Sequence, residues 1–389
     1  MLTTSRWGIA ALLLVMSGLI VSAAPPTWER RSTTTGDLEQ PNSGGQQTCC
    51  IVADLDGDGI DDFIIGERTT APSIVWYKFN GDGWDRHIID DTRLRPEAGG
   101  VCFDIDQDGD QDVVLGQDSS GSEIWWWENP SPDFSNPWTR RLIKSDGSRK
   151  HHDQTAGDFN NDGTIEFISW NQKAKQLLRF NTPDAPHSAG PWDSEVVFSW
   201  NEGPELEGFP SQPVDVDQDG LIDLVGGGRW FKLQPNGRFE EQPIDESMRF
   251  TQCAAGQLIE GGRPEIVFSP GDTNGDAKWY EWKEGRWIAH SLGFVIHGHT
   301  CEMRDINNDG TQDILIGEMG DPGAGDDAKI LVWYGDGRGG LEKTIVSQGL
   351  GIHEGLLGDF DGDGDLDILH KPYSHKAPRI DILLNQIIE

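Results

Sequence analysis

The sequence predicts an all-β protein, a seven-bladed β-propeller of four-stranded blades, and three observations carry that reading. An acidic nine-residue loop recurs six times along the chain. The loop starts, with one degenerate copy, fall at 54, 104, 158, 215, 257, 305 and 359, spacings of 42 to 57 residues that suit one blade each. One strand is left over before the first unit and one is missing after the last, as a ring closed by its own N-terminus requires.

The loops read DLDGDGIDD from Asp54, DIDQDGDQD from Asp104, DFNNDGTIE from Asp158, DVDQDGLID from Asp215, DINNDGTQD from Asp305 and DFDGDGDLD from Asp359. At Gln257 the stretch GQLIEGGRPEIVF keeps the apolar strand and loses the acidic pattern. Each unit reads as an inner strand ending at the loop, an apolar second strand such as DFIIG, an aromatic third such as SIVWYKF and an outer fourth such as WDRHIID. The third strand returns as EIWWWEN, RWFKL, AKWYEW and ILVWYG, the fourth as WTRRLIK, WDSEVVF, RFEEQPI, RWIAHSL and LEKTIVS. Unit seven stops at its third strand, RIDILLN, and the spare WERRS at Trp28 to Ser32 is expected to complete it.

Oxygens at loop positions 1, 3, 5 and 9, a backbone carbonyl near position 7 and Gly at position 6 suit a hard cation that takes six or more ligands, and calcium is the natural choice. Position 12 lacks the bidentate Glu of an EF-hand and the flanks are strands, so that reading fails. The expected ligands are Asp54, Asp56, Asp58 and Asp62 in blade one, and Asp104, Asp106, Asp108 and Asp112 in blade two. Blade three offers Asp158, Asn160, Asp162 and Glu166, and blade four Asp215, Asp217, Asp219 and Asp223. Blade six offers Asp305, Asn307, Asp309 and Asp313, and blade seven Asp359, Asp361, Asp363 and Asp367. Up to six structural calcium ions are thus expected.

The pattern D-x-[DN]-x-D-G-x-x-[DE] followed by three apolar residues resembles the FG-GAP/VCBS repeat, related to the integrin α-chain propeller. The resemblance extends over nearly all of residues 25–389 and departs only in blade five.

Inner strands end at the loops, so their starts lie on the opposite face. The residues six before each loop, Thr48, Ala98, His152, Phe209, Thr251, His299 and His353, are expected to form a ring near the axis. The turns after the second strands add Glu67, Gln117, Asn171, Arg229, Glu318, Lys371, Tyr373 and His375 to that face. Histidines 151, 152, 297, 299, 353, 370 and 375 are expected to converge there, with Asp153 and Glu354 beside them. Neutral imidazoles with carboxylates suit a transition metal, and protonated ones suit acid or base work. The plainer alternative is a water-filled polar channel. Ligand binding is expected at His151, His152, His297, His299, His353 and Lys371; candidate catalytic groups are His152, His299, His353, Glu354, Arg229 and Tyr373.

Composition bounds the partners. The net charge of −35, from 31 basic and 66 acidic residues, repels nucleic acid and anionic membranes. The 49 glycines and 16 tryptophans favour short strands and tight turns, and no helical stretch stands out beyond the N-terminus. The apolar run from Gly8 to Val21 followed by Ser22-Ala23-Ala24 reads as a secretory signal peptide over 1–24. It is too short to span a bilayer, which takes about 20 residues. The product is expected to be a secreted, periplasmic or cell-surface monomer without membrane insertion. Five cysteines, 49, 50, 102, 253 and 301, read mainly as small buried residues rather than disulfides.

Three functions are compatible with this pattern: a binding module for a carbohydrate or extracellular protein at the histidine face, a metal-assisted sugar lyase or dehydratase using that face, and an adhesive scaffold. The propeller portion of fungal aldos-2-ulose dehydratase is similar in repeat type, which favours sugar chemistry without supplying a motif for any catalytic residue. No Ser-His-Asp order, P-loop, dinucleotide fingerprint or HExxH helix is present.

Overall fold

The structure, a computed structural model, describes residues 25–387. The leader expected over 1–24 lies outside the described residues. Seven antiparallel sheets follow one another along the chain; six are built from consecutive strands, and the seventh joins the first strand to the last three. Blade one comprises Gln47–Ala53, Asp62–Glu67, Ile74–Phe79 and Trp84–Asp90 in that order from the axis outward. Second strands such as DFIIGE are buried along their whole length, since each sheet is sandwiched between two others. Fourth strands such as Ser194–Ser199 are largely exposed on the rim.

Packing follows from that arrangement. One cluster joins Ile64 and Trp76 of blade one to Val113, Leu115, Trp125 and Trp127 of blade two. Another joins Phe63 and Tyr77 to Phe360, Leu369 and Ile382 of blade seven. The core is therefore a circle of inter-blade seams, and the recurrent tryptophans belong to them.

Closure is as the leftover strand predicts. Trp28–Ser32 pairs antiparallel with Asp381–Asn385, Trp28 opposite Asn385 and Ser32 opposite Asp381. Arg30 clamps the joint by donating from Nε and Nη2 to Asp381 Oδ1 at 2.9 and 2.6 Å. Asp381 Oδ2 takes Arg379 Nε at 2.6 Å and lies 2.9 Å from His370 Nδ1.

Blade four departs from four full strands. It keeps Leu224–Gly226, Arg229–Leu233 and Phe239–Pro243, while its inner strand shrinks to one bridge between Val214 and Asp223. The segment GFPSQPV explains this, because Pro210 and Pro213 have no N–H to give a ladder. All five cysteines are free, four of them buried, in line with a packing role. No helix among the described residues is long and apolar enough to cross a membrane.

Candidate metal and ligand sites at the two ends of the axis

At the loop end, each turn is first closed by its position-one carboxylate. Asp54 Oδ1 accepts Gly57 N at 2.8 Å and Oδ2 accepts Gly59 N at 3.0 Å. Asp104, Asp158, Asp215, Asp305 and Asp359 repeat the bond to their own position-six glycines. Donor oxygens of Asp54, Asp56 and Asp58, and likewise of Asp104, Asp106 and Asp108, come within 4.8 Å of one another, close enough to share one cation.

Position nine has a task the spacing did not suggest. Asp62, Asp112, Asp223, Asp313 and Asp367 each accept the N–H of the position-two residue, at 2.8 to 3.0 Å. Glu166 does the same for Phe159 at 3.1 Å. In blades two, six and seven the second oxygen also takes an N–H from the end of the third strand, Asn129, Gly335 or Asn385, at 2.8 Å. Blade five, whose loop has lost positions 1, 3 and 5, still keeps Glu265 there, accepting Leu258 N and Ile259 N at 2.9 Å each. Position nine is thus a staple beneath the turn, present with or without the acids at positions 1, 3 and 5.

At the other end the histidine ring forms, in part. His299 stacks on His353 at 4.5 Å between centroids, His152 lies 6.1 Å from His299, and Tyr373 lies 5.1 Å from His353. All three histidines are buried. His152 Nδ1 is 3.0 Å from Asp153 Oδ2, and His299 Nδ1 is 3.0 Å from Glu354 Oε1. Their Nε2 atoms face the two oxygens of one residue, Glu207, at 3.7 and 3.6 Å.

Local backbone makes this possible. Asp153 (φ 39°) and Glu354 (φ 53°) adopt the left-handed region, and the strand register slips between His152 and Gln154. Such a bulge breaks the alternation of a strand, so that a histidine and the carboxylate next to it both reach the axis. The geometry pairs each imidazole through Nδ1 with a carboxylate and leaves Nε2 turned to a third acid.

Electrostatics follow from burial. Desolvation pushes Glu207 up to about 8 despite His299 and His152 beside it. Desolvation also opposes charging the two histidines, but Asp153 with Glu207 raises His152 to about 9, and Glu207 with Glu354 raises His299 to about 10. His353 goes the other way, held well below the usual value by burial and then by Lys371 and His299. Lys371, depressed to about 8 by burial, donates to Gln47 O, Thr48 O and His353 Nδ1 at 3.1, 3.0 and 3.1 Å.

Several expected members stand elsewhere. His151 points away from its neighbour and is buried against Gly116 of blade two, where burial drops it to about 3. His370 belongs to the closure joint, and His375 pairs with Asp326 at 3.2 Å. Arg229, after the Gly227-Gly228 turn, forms an ion pair with Glu241 at 2.5 Å and lies over Phe198, away from the axis. His297 stands at the rim near Asp272, and Lys371 positions His353 from behind, fully enclosed. Glu207, Asp272, Arg68 and Glu97 were missed; the one signal for Glu207 was an acid between Leu206 and Gly208, two residues before the ring position.

Two cavities meet at this cluster. One of about 320 Å³ opens beyond it, lined by Arg68, Glu97, Lys150, His152, Asp272 and Tyr373 among others. The other, about 580 Å³, runs toward the loops along the inner strands, past Gln154, Gln252 and Glu302. His299 lines both.

Residues 104–169 and 305–370 match the FG-GAP-like repeat, in each case running from one acidic loop to the second strand of the next blade. The chain is a β-propeller, two stretches of which match the FG-GAP-like repeat. Among solved structures it is similar to a chain in the crystal structure of BBS1N in complex with ARL6DN, soaked with mercury, at 12% identity and a TM-score of 0.55. That likeness covers 93% of this chain and 98% of the other. At such identity the likeness concerns the fold alone. No curated protein matches the sequence, and no comparison supports the link to aldos-2-ulose dehydratase.

Proposed function

We propose that this FG-GAP-like propeller is a calcium-stabilised binding module whose axial cluster of His152, His299 and Glu207 holds a transition metal, and through it a carbohydrate-related ligand. The observation that carries the reading is the pair of carboxylate-to-imidazole contacts at 3.0 Å with both Nε2 atoms turned to Glu207. Histidines that ligate metals characteristically pass their other nitrogen to a carboxylate, which orients the ring and raises its basicity. Edges of 3.6 to 3.7 Å are near the roughly 3.3 Å expected between ligands about 2.05 Å from a tetrahedral zinc. Glu207 Oε1, fully buried and without a hydrogen-bond partner, is the atom such an ion would satisfy.

The smaller cavity supports the ligand class. Arg68 and Lys150 face it, but Glu97 and Glu205 already neutralise them. Walls of paired charges hydrogen-bond hydroxyls better than they attract a strong anion, which suits a polyol or sugar. A lyase or dehydratase reading draws on His353: the hydrogen bond from Lys371 to Nδ1 puts the proton of a neutral imidazole on Nε2, where it can donate to a developing oxyanion. Tyr373 stands beside it as a proton donor.

The test is zinc uptake in the presence of excess calcium. Glu207→Gln, which keeps the shape and imitates the protonated acid, is expected to lose one equivalent of zinc without losing the fold. Asp153→Asn should weaken that equivalent by about 10- to 100-fold. Equal zinc uptake by wild type and Glu207→Gln would remove the axial metal and the ligand reading built on it.

A further inference from the structure

In blades one and four the residue that follows the aromatic side chain paired with the start of the second strand abuts the acidic loop, and blade two carries a different residue at that position. In blade one Tyr77 pairs with Phe63, and the next residue, Lys78, places Nζ against Asp56 and 2.9 Å from Asp58. In blade four Phe231 pairs with Leu224, and Lys232 places Nζ against Asp217 and Asp219. Both loops thus receive a tethered ammonium on carboxylates 3 and 5. Blade two inverts the charge at this position: Trp127 pairs with Val113, and the next residue is Glu128.

An added carboxylate beside Asp104, Asp106 and Asp108 would be repulsive without a cation, and a histidine from another blade arrives at that point. His187 lies between the third and fourth strands of blade three. Its Nε2 is 2.9 Å from Asp106 Oδ2 and 3.3 Å from Glu128 Oε1. The three donor atoms lie within 4.8 Å of one another. The group is also braced. Arg141 bonds Glu128 Oε2 and donates from Nη1 to the main-chain oxygen of His187 at 3.4 Å. The same guanidinium lies over the Trp126 ring at 5.4 Å, and the His187 ring packs 6.0 Å from it.

We propose that Asp106, Glu128 and His187 form a second, peripheral transition-metal site of the zinc class on blade two, adjoining its calcium-type loop. One imidazole nitrogen with two carboxylates and open positions is a borderline donor set that favours zinc over calcium, which takes oxygen alone. Asp106 links the two environments: its Oδ1 accepts Asp108 N at 3.2 Å inside the loop, while Oδ2 turns out to His187. The exchangeable ion takes the place that Lys78 and Lys232 fill in blades one and four. The site does not depend on the axial cluster, since the two share no residue.

The experiment counts zinc bound to the full chain in excess calcium, in wild type, His187→Gln, Glu207→Gln and the double variant. His187→Gln is expected to lose one equivalent whether or not Glu207 is changed, with calcium content unaltered. Glu128→Lys, which installs the ammonium of blades one and four, should lose the same equivalent while the melting temperature is kept. His187 lies in a surface connection and Glu128 at a strand end, so neither change removes core. Unaltered zinc content in His187→Gln would show that the imidazole serves only as an ion pair to Asp106 and Glu128 and would overturn the proposal; so would full zinc binding by Glu128→Lys.

Discussion

Blade five and blade two carry the same turn at the same place within the blade, and they have diverged in opposite directions. Blade two has gained acids, at Asp110 within the loop and Glu128 beside it. Blade five has lost positions 1, 3 and 5 to Gln257, Ile259 and Gly261, yet retains Glu265 at position nine. Both still tie the position-two N–H beneath the turn, Ile105 to Asp112 and Leu258 to Glu265. The difference separates two roles that the repeat pattern merges: positions 1, 3 and 5 carry the acids that the proposed ion would use, and position nine answers to the fold.

Removing ions offers the largest way to break that comparison. A ligand bound only by the native state stabilises it by about 2.7 kcal/mol per site at a hundredfold excess over its dissociation constant. Chelation is therefore expected to lower the melting temperature by many degrees. Amide exchange should rise across Asp104–Asp112 and stay unchanged across Leu258–Glu265. An unchanged melting curve would deny the loops their ions, and equal deprotection in blade five would deny the division of roles.

Cutting the staple is the next largest effect. Asp112→Ala strands two buried N–H groups and Glu265→Ala two more, at about 1–3 kcal/mol for each group left unsatisfied. Denaturant unfolding should show losses of similar size in the two variants. The Glu265→Ala loss should be the same with calcium and with chelator. A neutral Glu265→Ala would mean that blade five keeps its acid for no structural reason.

Smallest is the pH effect that Glu265 contributes in blade five. Burial pushes Glu265 up to about 7, against the N–H bonds from Ile259 and Leu258. The folded chain then holds this proton more tightly than the unfolded chain, whose Glu titrates near 4.5. Stability consequently falls as pH rises from about 4.5 to 7, because the native state binds more protons than the unfolded state in that window. Glu265→Gln can still accept a backbone N–H and carries no charge, so its stability relative to wild type should climb across the window and level off above it. A constant difference between the two proteins would show that Glu265 titrates normally.

The histidine end was legible only in part. Counting six residues back from each loop found His152, His299 and His353, because in those three blades the inner segment runs back from its loop to the same end of the axis. The same count grouped His151 with His152, whereas strand alternation sends His151 into the seam with blade two. It also left open how His353 and Glu354 both serve the axis, which depends on the positive φ of Glu354. Arg229 was placed on the histidine face by its position after a second strand, but a two-glycine turn and Glu241 direct it outward.

By itself the sequence determined the seven units, the loop in each and the aromatic strands, because these repeat at a blade's length, and the closing strand, because the last unit lacks one strand and WERRS stands spare before the first. Only the tertiary structure decided that Glu207 reaches across to two histidines from other blades, and that His187 leaves its own blade for the loop of another. Those residues lie in connections that follow no period, and an interaction used once leaves no pattern to read. The chain had to close into a ring before its unrepeated residues acquired neighbours.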